Sequence, residues 1–194
     1  MDIEASPDLA GGLGGKMLIA APAIGDPRFS RSVVFMCAHT AEHAMGIIVN
    51  KPMGALRLPD LLEQLGIEST ITVPDRPVLN GGPVDRDRGF VLHTDDFYAE
   101  DATLDIGPGV AMTATRDALE AIASEDAPRE AILALGYAGW GAGQLESEIL
   151  ANAWLVCDAS DELLFGPDLA GKWARALTSI GASPDRLSSL HGRA

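Results

Sequence analysis

The stretch GYAGWGAGQLESEI, residues 136–149, sets the strongest constraint on what this chain can fold into. Four glycines stand between an apolar run, AILAL, and a helix-patterned segment, so a strand must feed a helix through backbone that carries few side chains. Such a junction has three physical readings. Backbone N–H groups at a helix N-terminus cradle phosphate; a strained turn presents a nucleophile; or side-chain-free residues let backbone and rings approach closely. The phosphate fingerprints are incomplete. Counting from Gly136, Ala142 and Gly143 stand where a Walker loop needs Lys and Ser or Thr. Counting from Gly139, Gln144 replaces the third glycine of a dinucleotide turn. Glu146 and Glu148 fall early in the helix, where they suit its dipole and oppose a phosphate. No Ser, Cys or Thr occupies the centre of the turn. Packing, with Trp140 filling space left by Gly139 and Gly141, is the preferred reading, and the phosphate cradle is kept as the alternative.

The flanking sequence alternates short apolar runs with polar breaks. MLIAAP (17–22), SVVFMCAH (32–39) and MGIIVN (45–50) read as strands, and the polar TAEHA between the last two predicts a hairpin. Pro52 is expected to stop the third run, because it biases Lys51 away from helix and cannot donate to a ladder. LRLPDLLEQLGI puts Leu58, Leu61, Leu62 and Leu65 on one helical face and stops at Gly66. PVLNGGP reads as a strand ending in a turn. RGFVLHT (88–94) and GVAMTAT (109–115) read as strands separated by an acidic loop, followed by a helix over RDALEAIASE. The last third predicts a strand over AILALGYAGW, a helix over QLESEILANA, a strand at WLVCD, a hairpin-like ELLF and a final helix over PDLAGKWARALTSIG. Helices interrupt strands irregularly, which predicts an α+β fold: a mixed, mainly antiparallel sheet or sheets flanked by about four helices. Residues 1–15 are expected to form a flexible arm and residues 16–194 a single domain.

Charge narrows the partners. The chain carries 28 Asp and Glu against 14 Lys and Arg, a formal charge of −14, which repels phosphate backbones at long range. Direct nucleic-acid binding is therefore not expected, and the best basic cluster, Lys172 with Arg175, is small. No apolar run approaches the ~18 to 20 residues that span a bilayer. The acidic start lacks a basic, apolar leader. A cytoplasmic protein with no membrane association is the expectation. Cys37 and Cys157 each sit inside an apolar run and are expected to be reduced, buried thiols.

Other constellations have bland readings. HTAEH (39–43) matches a zinc-peptidase pattern that needs both histidines on a helix, yet it joins two strand-like runs. With His93 and His191 as the other histidines, no metal site is expected. TDDFYAED lacks the ligand spacing and central glycine of a calcium loop and reads as a solvated acidic loop. Asp85, Arg86, Asp87 and Arg88 alternate in sign and are expected to pair with one another at the surface. Asn50 and Asn80 place amide side chains at strand ends, from which loops build pockets. Tyr137, Trp140, Trp154 and Trp173 lack interleaved basic residues, so packing is favoured over base stacking.

SVVFMCAH, MGIIVNKP, PVLNGGPVDRDRGFVLH, GYAGWGAGQLESEI with NAWLV, and the late LLF with KWARALTSIGASPDRLS together resemble the bacterial AlgH/YqgE family, in order and over nearly the whole chain. The resemblance implies a compact single-domain cytosolic protein, often described as a transcriptional regulator, with no established enzymatic activity or cofactor. It brings no catalytic residues. It does point to candidate binding-surface residues Asn50, Lys51, Asn80, Gly81, Gly82, Gly139, Trp140, Gly141, Gly143, Gln144 and Glu146. The glycine-rich start and the HTAEH loop depart from the family pattern.

The expected function is that of a non-enzymatic binding or regulatory protein, with a protein partner or small molecule engaging one surface made of the NKP, NGGP and GWGAGQ turns. The alternative is an enzyme or binder of a small phosphate-containing or acyl metabolite, working through the glycine-rich turn with His93 or Glu146 as base. No cofactor or metal is expected.

Overall fold

The computed structural model describes residues 12–189. The chain opens with three antiparallel strands, β1 (Lys16–Ala20), β2 (Val33–His39) and β3 (His43–Ile48), and TAEHA is the β2–β3 hairpin. Then follow β4 (Pro52–Arg57), α1 (Leu58–Gln64), β5 (Pro77–Asn80), β6 (Val84–Thr94), β7 (Thr103–Gly107) and β8 (Val110–Thr113). The last part comprises α2 (Arg116–Ile122), β9 (Ala131–Gly141), α3 (Gln144–Leu150), β10 (Trp154–Asp158), α4 (Asp161–Phe165), α5 (Lys172–Ser179) and α6 (Pro184–Ser189). The strands pair in the order β10-β1-β2-β3-β9-β6-β8-β7, antiparallel along that whole path. β4 pairs with β5, and β5 lies parallel to β9.

The result is an α+β fold built on one curled, mainly antiparallel sheet, with six α-helices among the described residues where about four were expected. ELLF is a helix, not a hairpin: Ser160 caps it by accepting from Leu163 N–H at 3.2 Å, and Asp161 and Glu162 fill its acidic first turn. The third strand stops at Ile48, before Pro52 as expected, and Pro52 then opens a new strand, β4, since the first residue of an edge strand tolerates a missing donor. The acidic loop holds β7, joined to β8 through Pro108 and Gly109. Residues 1–11 of the expected arm lie outside the described residues. From Gly12 the lead-in is part of the fold: Leu13 is 3% exposed and Gly15 N–H donates to Met36 O at 2.8 Å.

Curling creates two apolar surfaces. One cluster draws Met17 and Ile19 from β1, Phe35 from β2, Phe90 and Leu92 from β6, and Met112 from β8, as a concave face must; α4 and α5 fill it with Leu164, Phe165, Trp173 and Leu177. Alternate residues of β1 to β3 point the other way and pack with Trp140, Leu145 and Trp154, close to α3. Outside β5, β6 and β9, Val78, Val91 and Leu133 pack against Leu58, Leu62, Ala118 and Ile122 of α1 and α2. Among the described residues, no helix is long and apolar enough to cross a membrane.

Candidate functional site

β9 explains the glycine-rich stretch. Its first half pairs with β6 and β5, and its second half with β3, so β5 and β3 take turns on one edge of it. Where they change over, three backbones meet. Gly81 N–H donates to Leu135 O at 2.8 Å, and Ile48 N–H donates to Gly81 O at 2.9 Å. A Cβ on Gly82, whose φ is +151°, would collide with the Tyr137 carbonyl, and one on Gly136, φ +77°, would collide with Gly82 O. NGGP and the start of GYAGWGAG are therefore two sides of one close backbone crossing.

The NKP and NGGP turns adjoin. Asn80 N–H donates to Lys51 O at 2.8 Å, and Asn80 Oδ1 accepts from Gly82 N–H at 3.3 Å. Asn50 ties down the start of β2: its Oδ1 accepts from Val33 N–H at 2.9 Å and its Nδ2 donates to Arg31 O at 2.8 Å. Lys51 Nζ donates to Arg28 O at 2.9 Å, and partial burial lowers its pKa against the raising influence of Asp26. The third turn follows on along β9. Gly139 and Gly141 face Met45 and His43, about 17 and about 24 Å along the chain from Asn50 at roughly 3.4 Å per residue. NGGP thus lies against Tyr137 and Ala138, directly before Gly139, while the rest of GWGAGQ runs on along β9 past Met45 and His43.

At that far end the polar groups are bound internally. Glu148 Oε2 accepts from both Trp140 Nε1 at 3.0 Å and Trp154 Nε1 at 2.8 Å, while Glu148 Oε1 accepts from Gln144 Nε2 at 2.9 Å. The two indoles meet edge to face, 5.9 Å apart. Gln144 Oε1 in turn accepts from Gly141 N–H at 3.0 Å, and Gly143, φ +70°, opens α3. Leu13 N–H donates to His39 Nδ1 at 3.0 Å, which fixes the tautomer and leaves Nε2–H to donate to Glu146 Oε1 at 2.7 Å. Backbone hydrogen bonding and the His39 donor together hold Glu146 below the usual carboxylate range.

His93, the other base considered, is fully buried. Its Nδ1 donates to Thr94 O at 2.8 Å, so Nε2 accepts from Thr113 Oγ1, also at 2.8 Å. The small basic cluster is no surface feature either. Lys172 is fully buried, donating to Leu164 O at 2.9 Å and Val49 O at 3.2 Å, and Arg175 pairs with Asp168 and Glu162. Burial, with Arg175 and Arg76 nearby, lowers the Lys172 pKa to about 8. Cys37 and Cys157 are buried free thiols, and burial pushes Cys37 up to about 12. Asp96 of the acidic loop accepts from Thr94 Oγ1 and Arg129 N–H. His191 lies outside the described residues.

Sequence reasoning missed the accessible features. Asp85, Arg86, Asp87 and Arg88 do not pair with one another: among the described residues neither arginine forms an ion pair. A register irregularity between Val84 and Gly89 carries them to different faces of β6. Arg88 lies over the Phe90 ring, 5.1 Å from its centroid, and borders a groove of about 460 Å³ lined by His43, Met45, Phe90, Met112, Tyr137 and Gly139. Trp140 forms part of its wall. Of the candidate residues, then, Gly139 and Trp140 border a groove, Asn80, Gly81 and Gly82 form the backbone crossing, and Asn50 holds the start of β2.

Comparison with known proteins follows the same outline. The AlgH-like family model DUF179 matches residues 17–185. A UPF0301 protein of Bradyrhizobium diazoefficiens, blr1492, is 56% identical over 197 residues, covering 98% of this chain and 92% of its own length. A UPF0301 protein of Caulobacter vibrioides is 54% identical over 181 residues, 93% of each chain. The solution structure of the AlgH protein from Pseudomonas aeruginosa superimposes with a TM-score of 0.74 at 38% identity, covering 100% of this chain and 98% of that one. Protein DIP2367 from Corynebacterium diphtheriae, at 20% identity and a TM-score of 0.67 over 90% and 89% of the chains, shares the fold. With the family model matched over residues 17–185 and relatives matched over nearly their whole length, the chain belongs to the AlgH-like family.

Proposed function

We propose that this chain is a non-enzymatic binding protein whose ligand enters the groove between the β3–β9 end and the β6–β8 end of the sheet. One observation carries the reading: the acids and bases of the glycine-rich segment already have internal partners, whereas Arg88 at the groove forms no ion pair among the described residues. A reaction needs an acid, base or nucleophile aimed at open space, and His39, Glu146, Glu148 and His93 are held by other side chains or backbone. Binding needs less. Rings, thioethers and one guanidinium suit a small planar anion, its charge on Arg88, which Phe90 backs, and its flat face on the half-buried Tyr137.

The same facts weigh against phosphate capture by the glycine-rich turn, since Gln144 occupies the Gly141 N–H and two carboxylates flank it. They also weigh against direct duplex reading, with a net charge of −14, Lys172 buried and Arg175 paired. Regulation by this protein would run through its ligand or a protein partner. Two buried free thiols suit a reducing cytoplasm.

Thermal denaturation with phenylacetate, AMP, inorganic phosphate and a short DNA duplex tests the reading. A ligand at a hundred times its Kd adds about 2.7 kcal/mol, so a clear rise in Tm with phenylacetate or AMP, lost in Arg88→Ala, is expected. A flat response, or a rise that survives the substitution, removes the groove from consideration.

A further inference from the structure

The second unpaired arginine marks a separate site on the opposite face of the sheet. Arg86 borders a cleft of about 360 Å³ whose floor is Val91, Leu133 and Leu135 and whose walls are Leu61 and Leu65 of α1 and Leu119 of α2. That volume lies at the small end of ligand pockets. Successive residues of a strand face opposite ways, so Val91 looks into this cleft while Phe90 looks into the groove bordered by Arg88. Leu65 is 42% exposed, which leaves an aliphatic side chain in water at the mouth. Arg116 fixes that mouth: its Nη1 donates to Leu65 O at 3.1 Å, joining the end of α1 to the start of α2, and its Nε donates to Glu120 at 2.8 Å. Arg116 is therefore engaged, and Arg86 is the cation left for an incoming charge.

The lining selects the ligand. Six branched aliphatic side chains contain no ring to stack on and no amide to read a peptide backbone or a base; of the polar lining residues, Thr113 is buried and its hydroxyl is engaged by His93 and Thr103, and Arg86, Asp87 and Arg116 supply the charge. From this we infer that the cleft binds a single-chain aliphatic carboxylate, its tail among Leu61, Leu119, Val91, Leu133 and Leu135 and its carboxylate on Arg86. An apolar tail gains from burial in proportion to its area, and a guanidinium fork matches a carboxylate in two parallel hydrogen bonds. A cleft this small holds one such tail, not a two-chain lipid.

Titration with decanoate and with decanol, followed by methyl resonances, tests this. Decanoate is expected to shift the methyls of Leu61, Leu119, Val91, Leu133 and Leu135 saturably, and Arg86→Gln, an exposed substitution, to weaken it about tenfold, the worth of one charge-assisted contact. Decanol is expected to bind the parent about as weakly as decanoate binds Arg86→Gln. Equal binding of decanoate to parent and variant overturns the proposal. So do shifts centred on the Met45 and Met112 methyls of the opposite groove, or shifts spread over the whole surface.

Discussion

His39 donates through Nε2 to Glu146 Oε1 at 2.7 Å, joining residues 107 positions apart. Because Leu13 N–H occupies His39 Nδ1, this pair also pins the lead-in to the start of α3. Glu146→Ala is expected to lower stability by about 1 kcal/mol, and His39→Ala by more, since it also strands a buried N–H. The Glu146 carboxyl has a folded pKa below its usual 4.5. Its stabilisation is therefore complete above that value and lost as pH falls through the lower folded one. Urea denaturation of parent and Glu146→Gln should give a stability gap that narrows below about pH 4.5.

Glu148 holds two indole N–H groups on one oxygen. Glu148→Ala leaves both unsatisfied in a buried cluster, at a cost on the order of 2–4 kcal/mol. Tryptophan emission should change at the same time, as water or disorder replaces the carboxylate.

Gly82 and Tyr137 approach too closely for any side chain at position 82. Gly82→Ala should abolish soluble, cooperatively unfolding protein or lower its Tm steeply. By contrast, Gly54→Ala, where a Cβ has open space but φ is +57°, should cost only about 1 kcal/mol of backbone strain. Similar losses at both positions would contradict the crossing described here.

Lys172 is a buried ammonium with carbonyl partners only, and its pKa falls from 10.5 to about 8. Between those values the unfolded chain binds a proton that the folded chain lacks, so this residue makes stability rise with pH. Cys37, raised from 9.0 to about 12, acts in the opposite direction over its own window. Comparing parent with Lys172→Met cancels the cysteine. The parent should gain on the variant from about pH 8 to pH 10.5, by up to on the order of 3 kcal/mol.

Local signals were legible in the sequence. The TAEHA break, the Gly66 stop and the strand running into Gly136 mark elements because each rests on neighbouring residues, and the same holds for the α+β class. Ser160, Asp161 and Glu162 also carried a helix signal, which the short apolar ELLF masked. The site was less legible. That Gly139 lies opposite Met45 and Gly82 against Tyr137 follows from strand pairing, which no window of sequence contains. Lys172 and Arg175 look alike as a basic pair, yet the packing of α5 into the concave face buries one and leaves the other to Asp168. Arg86 and Arg88 look paired with their aspartates until a register irregularity sends them to different grooves.

Ligand binding at the groove beside Arg88 is most directly tested by an amide chemical-shift titration of parent and Arg88→Ala with phenylacetate and AMP. Saturable shifts at Met45, Phe90 and Gly139 in the parent, absent in the variant, are the expected result. No saturable shift at those residues, or shifts that persist without the guanidinium, would contradict a binding site there.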